Sequence, residues 1–234
     1  MSIRLITFDL DDTLWDNRPV ILAAEAAMRD WISAHAPRLA SQPVDHLGQV
    51  RGRLLEAEPN LKYRLSELRR RTLRHALEGV GHSPDDAAQL AEGAFQVMLE
   101  ARHAITFFSD TVTTLELLAN QYSLGVITNG NADVRRLGLA DYFSFILCAE
   151  ELGVGKPDAK PFQEALARSG MRAEQAVHIG DHPGDDIAGA QTAGWRAVWF
   201  NPEGKTWAGE KEADAQIRSL GELPALLQRW ASMT

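Results

Sequence analysis

Apolar residues along this chain fall into two rhythms. Ile3, Leu5, Ile6 and Phe8 form a short, nearly continuous apolar run, and similar runs recur at Ser123–Thr128, Phe145–Cys148, Ala176–Ile179 and Ala197–Phe200. Runs this short and unbroken suit strands buried on both faces, as in a parallel sheet covered by helices. Helical spacing fills the intervals, at 110–120, 131–138, 158–169, 185–193 and 221–231. The alternation predicts an α/β fold on a doubly wound parallel sheet, with Ile3–Phe8 as a central strand.

Residues 16–105 follow the second rhythm alone. Pro19 sits at a helix start and is followed at helical spacing by Ile21, Ala24, Met28, Trp31 and Ile32. Leu61, Leu65, Leu68, Leu73 and Leu77 predict a second long helix, and Ser83-Pro84 caps a third that runs from Ala87 to Arg102. The expectation is an all-helical module, 16–105, inserted into a core made of 1–15 and 106–234. Arg69, Arg70 and Arg71 fan over most of a helical turn and read as a solvated face. Trp31, His103 and Trp230 read as packing residues.

Composition narrows the classes. The chain has 234 residues, 45% of them hydrophobic and 24% charged, the balance of a globular protein able to bury a core. A net charge of −8 speaks against nucleic acid or an anionic membrane as the main partner. No apolar run is long enough for a transmembrane helix, and the first residues lack the pattern of a secretory leader. The single cysteine, Cys148, excludes an internal disulfide, fits a reducing cytoplasm and reads as a small buried hydrophobe. A cytoplasmic protein with no obligate protein partner is expected.

The chemistry gathers where the strands end. In an open α/β sheet, ligands collect at the carboxyl ends of the strands. Asp9, Asp11 and Thr13 follow the first run, and Thr128, Asn129 and Gly130 the second. Lys156 follows the third, and Asp181, Asp185 and Asp186 the fourth. Carboxylates crowded this closely repel one another unless a hard cation neutralises them. A hydroxyl, an ammonium and two groups of acids suit a phosphoryl group beside such an ion. One carboxylate can attack phosphorus while the other gives a proton to the leaving alcohol and later takes one from water. Thr128 and the backbone N–H groups after it, with Gly130 allowing close approach, can hold phosphoryl oxygens. Lys156 adds a positive point charge.

Four stretches in this order, DLDDT at 9–13, ITNGN at 127–131, GKP at 155–157 and HIGDHPGDD at 178–186, resemble the motifs of the haloacid dehalogenase superfamily. The resemblance spans the chain and implies a Rossmann-like core with a C1-type helical cap. It implies Asp9 as nucleophile and Asp11 as acid and base, the backbone carbonyl of Asp11 also touching metal. Asp181 is then a further Mg²⁺ ligand, and Asp186 lies beside the ion or reaches it through water. Asp185 stands where relatives often carry Asn, and Thr13 would fix the loop or orient Asp11. The superfamily's dehalogenases lack the second aspartate, so Asp11 favours a Mg²⁺-dependent phosphatase of small phosphate monoesters.

ITNGNADVRRLGLADYFSFILCAEELGVGKP, with LKYRLSELRRRTL in the helical module, resembles a branch of bacterial phosphatases that act on FMN and on 5-amino-6-(5-phosphoribitylamino)uracil. Arg64, Tyr63 and Lys62 would then face the polyol, and Trp15 would offer an apolar surface beside the nucleophile loop. A phosphomutase and a generalist sugar or nucleotide phosphatase are the alternatives. A phospho-receiver module sets similar residues at its strand ends but needs no cap.

Overall fold

The computed structural model describes residues 2–207 and 211–232. Among these residues the strands are β1 (Leu5–Phe8), β2 (Ser123–Thr128), β3 (Phe145–Cys148), β4 (Ala176–Gly180), β5 (Arg196–Phe200) and β6 (Ala215–Ile217). They form one parallel sheet in the order β3-β2-β1-β4-β5-β6. β1 pairs with β2 on one side and β4 on the other, Leu5 standing opposite both Ser123 and Ala176. All four of its residues are therefore buried. The chain runs outward through β2 and β3, then returns to the other side of β1 to lay down β4. That reversal opens a crevice at the carboxyl ends of β1, β2 and β4.

The helices are α1 (Asn17–His35), α2 (Pro37–Ala40), α3 (His46–Ala57), α4 (Leu65–Gly79), α5 (Pro84–Ala101), α6 (Thr111–Ala119), α7 (Ala149–Leu152), α8 (Ala159–Ser169), α9 (Gly189–Thr192) and α10 (Leu223–Ser232). Two compact units result: Met1–Asp16 with Thr106–Thr234, and Asn17–Ile105. In the first, Phe162 of α8 packs edge-on against Trp195 at 5.5 Å, within a cluster that includes Leu5, Ile127, Leu147 and Ile187. In the second, α1, α4 and α5 bury one face each, with Met28, Ile32, Leu73, Leu77, Phe95 and Met98 at its centre. The Ser83 hydroxyl caps α5 by accepting from the Asp86 N–H at 3.2 Å. Among the described residues, no helix is long and apolar enough to cross a membrane.

Several sequence expectations need correction. No helix forms over 131–138. Asp133 accepts the Arg135 N–H at 3.0 Å and Gly138 turns left-handed at φ 72, so the segment closes as a turn. Leu61 lies in a 3₁₀ turn, Pro59–Tyr63, and α4 begins only at Leu65. The helix expected from 185 starts at Pro183 as a π-helical turn that leads into α9. β6 escaped notice because three residues with one buried side chain leave no apolar run. The arginine run is more than a solvated face: Arg70 forks onto Glu92 and lies over the Phe95 ring at 3.8 Å, and Arg71 forks onto Glu58. Cys148 is only half-buried, and its thiol donates to the Gly130 carbonyl at 3.3 Å.

Candidate active site

The first strand delivers its acids through a tight turn. The Asp9 N–H still bonds Ile179 O at 2.9 Å, as an extension of the sheet. The chain then reverses, with Leu14 N–H on Leu10 O at 2.8 Å and Asp12 left-handed at φ 58. Aspartate tolerates that conformation better than most residues. The reversal turns the Asp11 carboxylate toward the end of β2, and its Oδ2 lies 2.5 Å from where a side-chain carbon at residue 130 would stand. A side chain at 130 would have to displace that carboxylate. Thr128 Oγ1, at the end of β2, accepts the Gly130 N–H at 3.0 Å, so hydroxyl, turn and Asp11 share one corner.

Lys156 lies at the centre of the other side. It is almost wholly buried, and Nζ donates to Asp9 Oδ1 and Asp186 Oδ1, each at 2.6 Å. Its backbone is clamped by one side chain: Asn129 Oδ1 accepts the Lys156 N–H at 2.8 Å and Asn129 Nδ2 donates to Lys156 O at 2.9 Å. Asn129 also reaches Asp185 Oδ2 at 3.3 Å, which gives both residues a bracing place. Asp186 is heavily bonded: besides Lys156 it accepts from His178 Nε2 at 3.0 Å and from the His182 backbone N–H at 2.9 Å. Because a carboxylate only accepts, His178 carries its proton on Nε2 here, and Nδ1 takes the Thr7 hydroxyl at 2.8 Å. Burial lowers the His178 pKa despite Asp186, so the ring is neutral.

One lysine cannot neutralise this many acids. Burial opposes the Lys156 ammonium, but Asp186 and Asp9 outweigh it and hold its pKa above the ordinary value. Burial would raise Asp186, yet Lys156 and His178 win and hold it far below the usual carboxylate range. Asp9 is left with the deficit. Burial pushes its pKa well above the ordinary value, and repulsion from Asp186 and Asp11 adds to a shift that Lys156 only partly offsets. Asp181 is pushed up to about 7 by burial and by the charges of Asp186 and Asp12. Carboxylate oxygens of Asp9, Asp181 and Asp186 all lie within 4.8 Å of one another. Hard oxygen donors with uncompensated charge fit a divalent cation of the Mg²⁺ type.

That arrangement has a measurable pH signature. An acid whose folded pKa is raised contributes stability at low pH that is lost as pH rises through the folded value. Without a divalent cation, the Asp181 contribution should therefore fade as pH rises through about 7. An ion that needs the ionised carboxylate does the opposite. Mg²⁺ is expected to raise the melting temperature more at about pH 8 than at about pH 5.5. Equal shifts at both values would remove Asp181 from the ion's ligands.

The first unit thus brings Asp9, Asp11, Thr128, Asn129, Gly130, Lys156, Asp181 and Asp186 to the crevice at its strand ends. A cleft of about 210 Å³ opens beside Asp12 and Asp181, bounded by Phe108, Trp199, Asn201 and Lys205. One expectation fails. Trp15 is fully buried and cannot offer a face to a ligand. Of the two roles expected of Thr13, orienting Asp11 finds no support, because its buried hydroxyl bonds no described residue. Arg64 is exposed in the helical unit, beside a cavity of about 190 Å³ that Glu58 and Leu61 also line. Lys62 lies 4.7 Å from the centre of the Tyr63 ring. Thr7 and His178 were missed. The available signal was a polar residue inside each of two otherwise apolar strands, LITF and AVHIG.

Residues 3–194 match the haloacid dehalogenase-like hydrolase family. The chain belongs to that family and is a hydrolase. It is 34% identical over 229 residues, 96% of each chain, to the 5-amino-6-(5-phospho-D-ribitylamino)uracil phosphatase YigB of Escherichia coli. It is 30% identical to a phosphoserine phosphatase of Thermus thermophilus, across 94% of this chain and 98% of the relative. A crystal structure described as a 2-haloacid dehalogenase from Pseudomonas syringae superposes with a TM-score of 0.95 at 58% identity, covering 97% of this chain and 99% of that one.

Proposed function

We propose that the protein is a divalent-metal-dependent phosphatase that hydrolyses small phosphate monoesters through a phosphoryl group carried on Asp9. The arrangement around Lys156 carries the reading: its ammonium bridges Asp9 and Asp186, with Asp181 beside them, while Asp11 stands apart at the Thr128–Gly130 corner. Asp9 attacks phosphorus and the ester P–O bond breaks, the departing alkoxide taking a proton from Asp11. Asp11, now ionised, takes a proton from water as that water attacks the same phosphorus. The P–O bond to Asp9 breaks, and inorganic phosphate leaves with Asp9 a carboxylate again. Thr128 Oγ1 and the N–H groups of the turn hold phosphoryl oxygens, and Lys156 keeps Asp9 aimed. Asp9, Asp181, Asp186 through its free electron pairs or a water, and the Asp11 carbonyl would hold Mg²⁺. The ion would supply charge neutralisation between two anions that must meet.

The Pseudomonas syringae relative raises a second reading, displacement of halide from carbon. A halide departs without a proton, so that reaction has no use for Asp11 as an acid. Asp11 therefore favours the phosphatase. For the substrate, we take the YigB likeness to point to 5-amino-6-(5-phosphoribitylamino)uracil, and FMN, another ester of a phosphorylated ribityl chain, is the candidate that the motif resemblance adds. Residues 16–105 would serve as the cap, with Arg64 among the residues that choose the leaving group.

A comparison of kcat/KM across FMN, the uracil intermediate, phosphoserine, sugar phosphates, nucleoside monophosphates and 2-chloropropionate tests both levels. The two ribityl esters should lead by roughly tenfold, with no chloride released. Sugar phosphates turned over equally well would leave only a generalist phosphatase. Chloride release without phosphate release would overturn the proposal.

A further inference from the structure

We infer that Trp15 is a positioning residue for acid–base catalysis, its indole N–H holding one oxygen of Asp11 so that the other faces the Thr128–Gly130 corner. The inference rests on the reading of Asp11 as acid and base. Trp15 Nε1 donates to Asp11 Oδ1 at 3.1 Å, while Oδ2 is the oxygen pressed toward Gly130. The two oxygens thus have separate assignments. An acid that must deliver a proton to one leaving oxygen, and later collect one from water on the same line, gains from a carboxylate that cannot spin.

Trp15 is itself well held. Its ring is fully buried and meets Phe107 edge-on at 6.1 Å. Its backbone bridges both Asp11 and Phe107. Leu14 O, next to it, receives the Phe108 N–H at 3.1 Å and the Thr111 hydroxyl at 2.9 Å. The indole therefore sits where the chain leaves the first unit, after Asp16, and where it returns, at Thr106. The neighbouring Thr13 hydroxyl, which could have steered Asp11, bonds no described residue.

A purely structural role is the rival, because a buried indole N–H needs some acceptor. Leaving-group dependence separates the two. Trp15→Phe keeps an aromatic ring in the buried site but loses the donor together with the five-membered half of the indole. With phosphorylation rate-limiting, it should lower kcat for an alkyl phosphate by roughly tenfold more than for p-nitrophenyl phosphate, whose phenolate needs little proton assistance. In an Asp11→Asn background the same change should leave that ratio alone, since no proton remains to be steered. Replacing Trp15 by benzothienylalanine, which exchanges only the N–H for sulfur, should reproduce the effect if Trp15→Phe folds poorly. Equal loss on both substrates, or none, in a folded donor-free variant would overturn the inference while leaving Asp11 in place. If Asp11→Asn itself showed no leaving-group dependence, the reading of Asp11 would fail first and take the inference with it.

Discussion

Asp9→Asn is expected to abolish phosphate release, by at least ~10³-fold, and to leave the melting temperature equal or higher. Asparagine keeps the shape of the side chain and an oxygen that Lys156 can still donate to. It cannot form the acyl phosphate. Stability should not suffer, because the Asp9 charge is desolvated and repelled by Asp186 and Asp11. Removing a charge that the fold tolerates at a cost should relieve the site. Steady-state turnover and a melting curve on one preparation check both halves. A variant that kept more than about a hundredth of the rate would exclude Asp9 as the nucleophile.

Lys156→Met should damage both stability and rate. The lysine is the cation bonded at 2.6 Å to each of two buried carboxylates. Removing it leaves those acids facing each other, and breaking a buried pair in this way costs about 3–5 kcal/mol. The deficit should shrink on acidification: Asp186, no longer held low by Lys156, gains stability as pH falls and it takes up a proton. Turnover should fall at least ~10²-fold, since the charge facing the nucleophile and phosphate is gone. Chemical denaturation across pH reads the first effect and initial rates the second. A variant as stable as the parent would mean the pair is not the support described here.

The strand-end acids were legible in the sequence because each follows directly on an unbroken apolar run, and the period of those runs disclosed the sheet. The turn at 131–138 was not, since Val134, Arg135 and Leu137 fit a helix and only the Asp133 bond and the left-handed Gly138 break it. The candidate site was legible as a set of residues and not as a network. Nothing in the order of residues says that Lys156 stands between Asp9 and Asp186, or that Asn129 clamps the lysine's backbone. His178 was hidden by its neighbours, because AVHIG reads as a buried strand whether or not the imidazole has partners. Trp15 was misjudged for a related reason: its type suggests a ring to stack on, while the fold uses its N–H.

Trapping the intermediate shows whether phosphate passes through Asp9. In the Asp11→Asn variant supplied with p-nitrophenyl phosphate, the phenolate leaves without help but the base for hydrolysis is missing. The acyl phosphate should then accumulate, and an acid quench followed by borohydride reduction should convert Asp9 to homoserine, located by peptide mass mapping. Conversion is expected at Asp9, and only when substrate is present. Release of one or more equivalents of p-nitrophenolate with Asp9 unreduced, or reduction at another carboxylate, would contradict it.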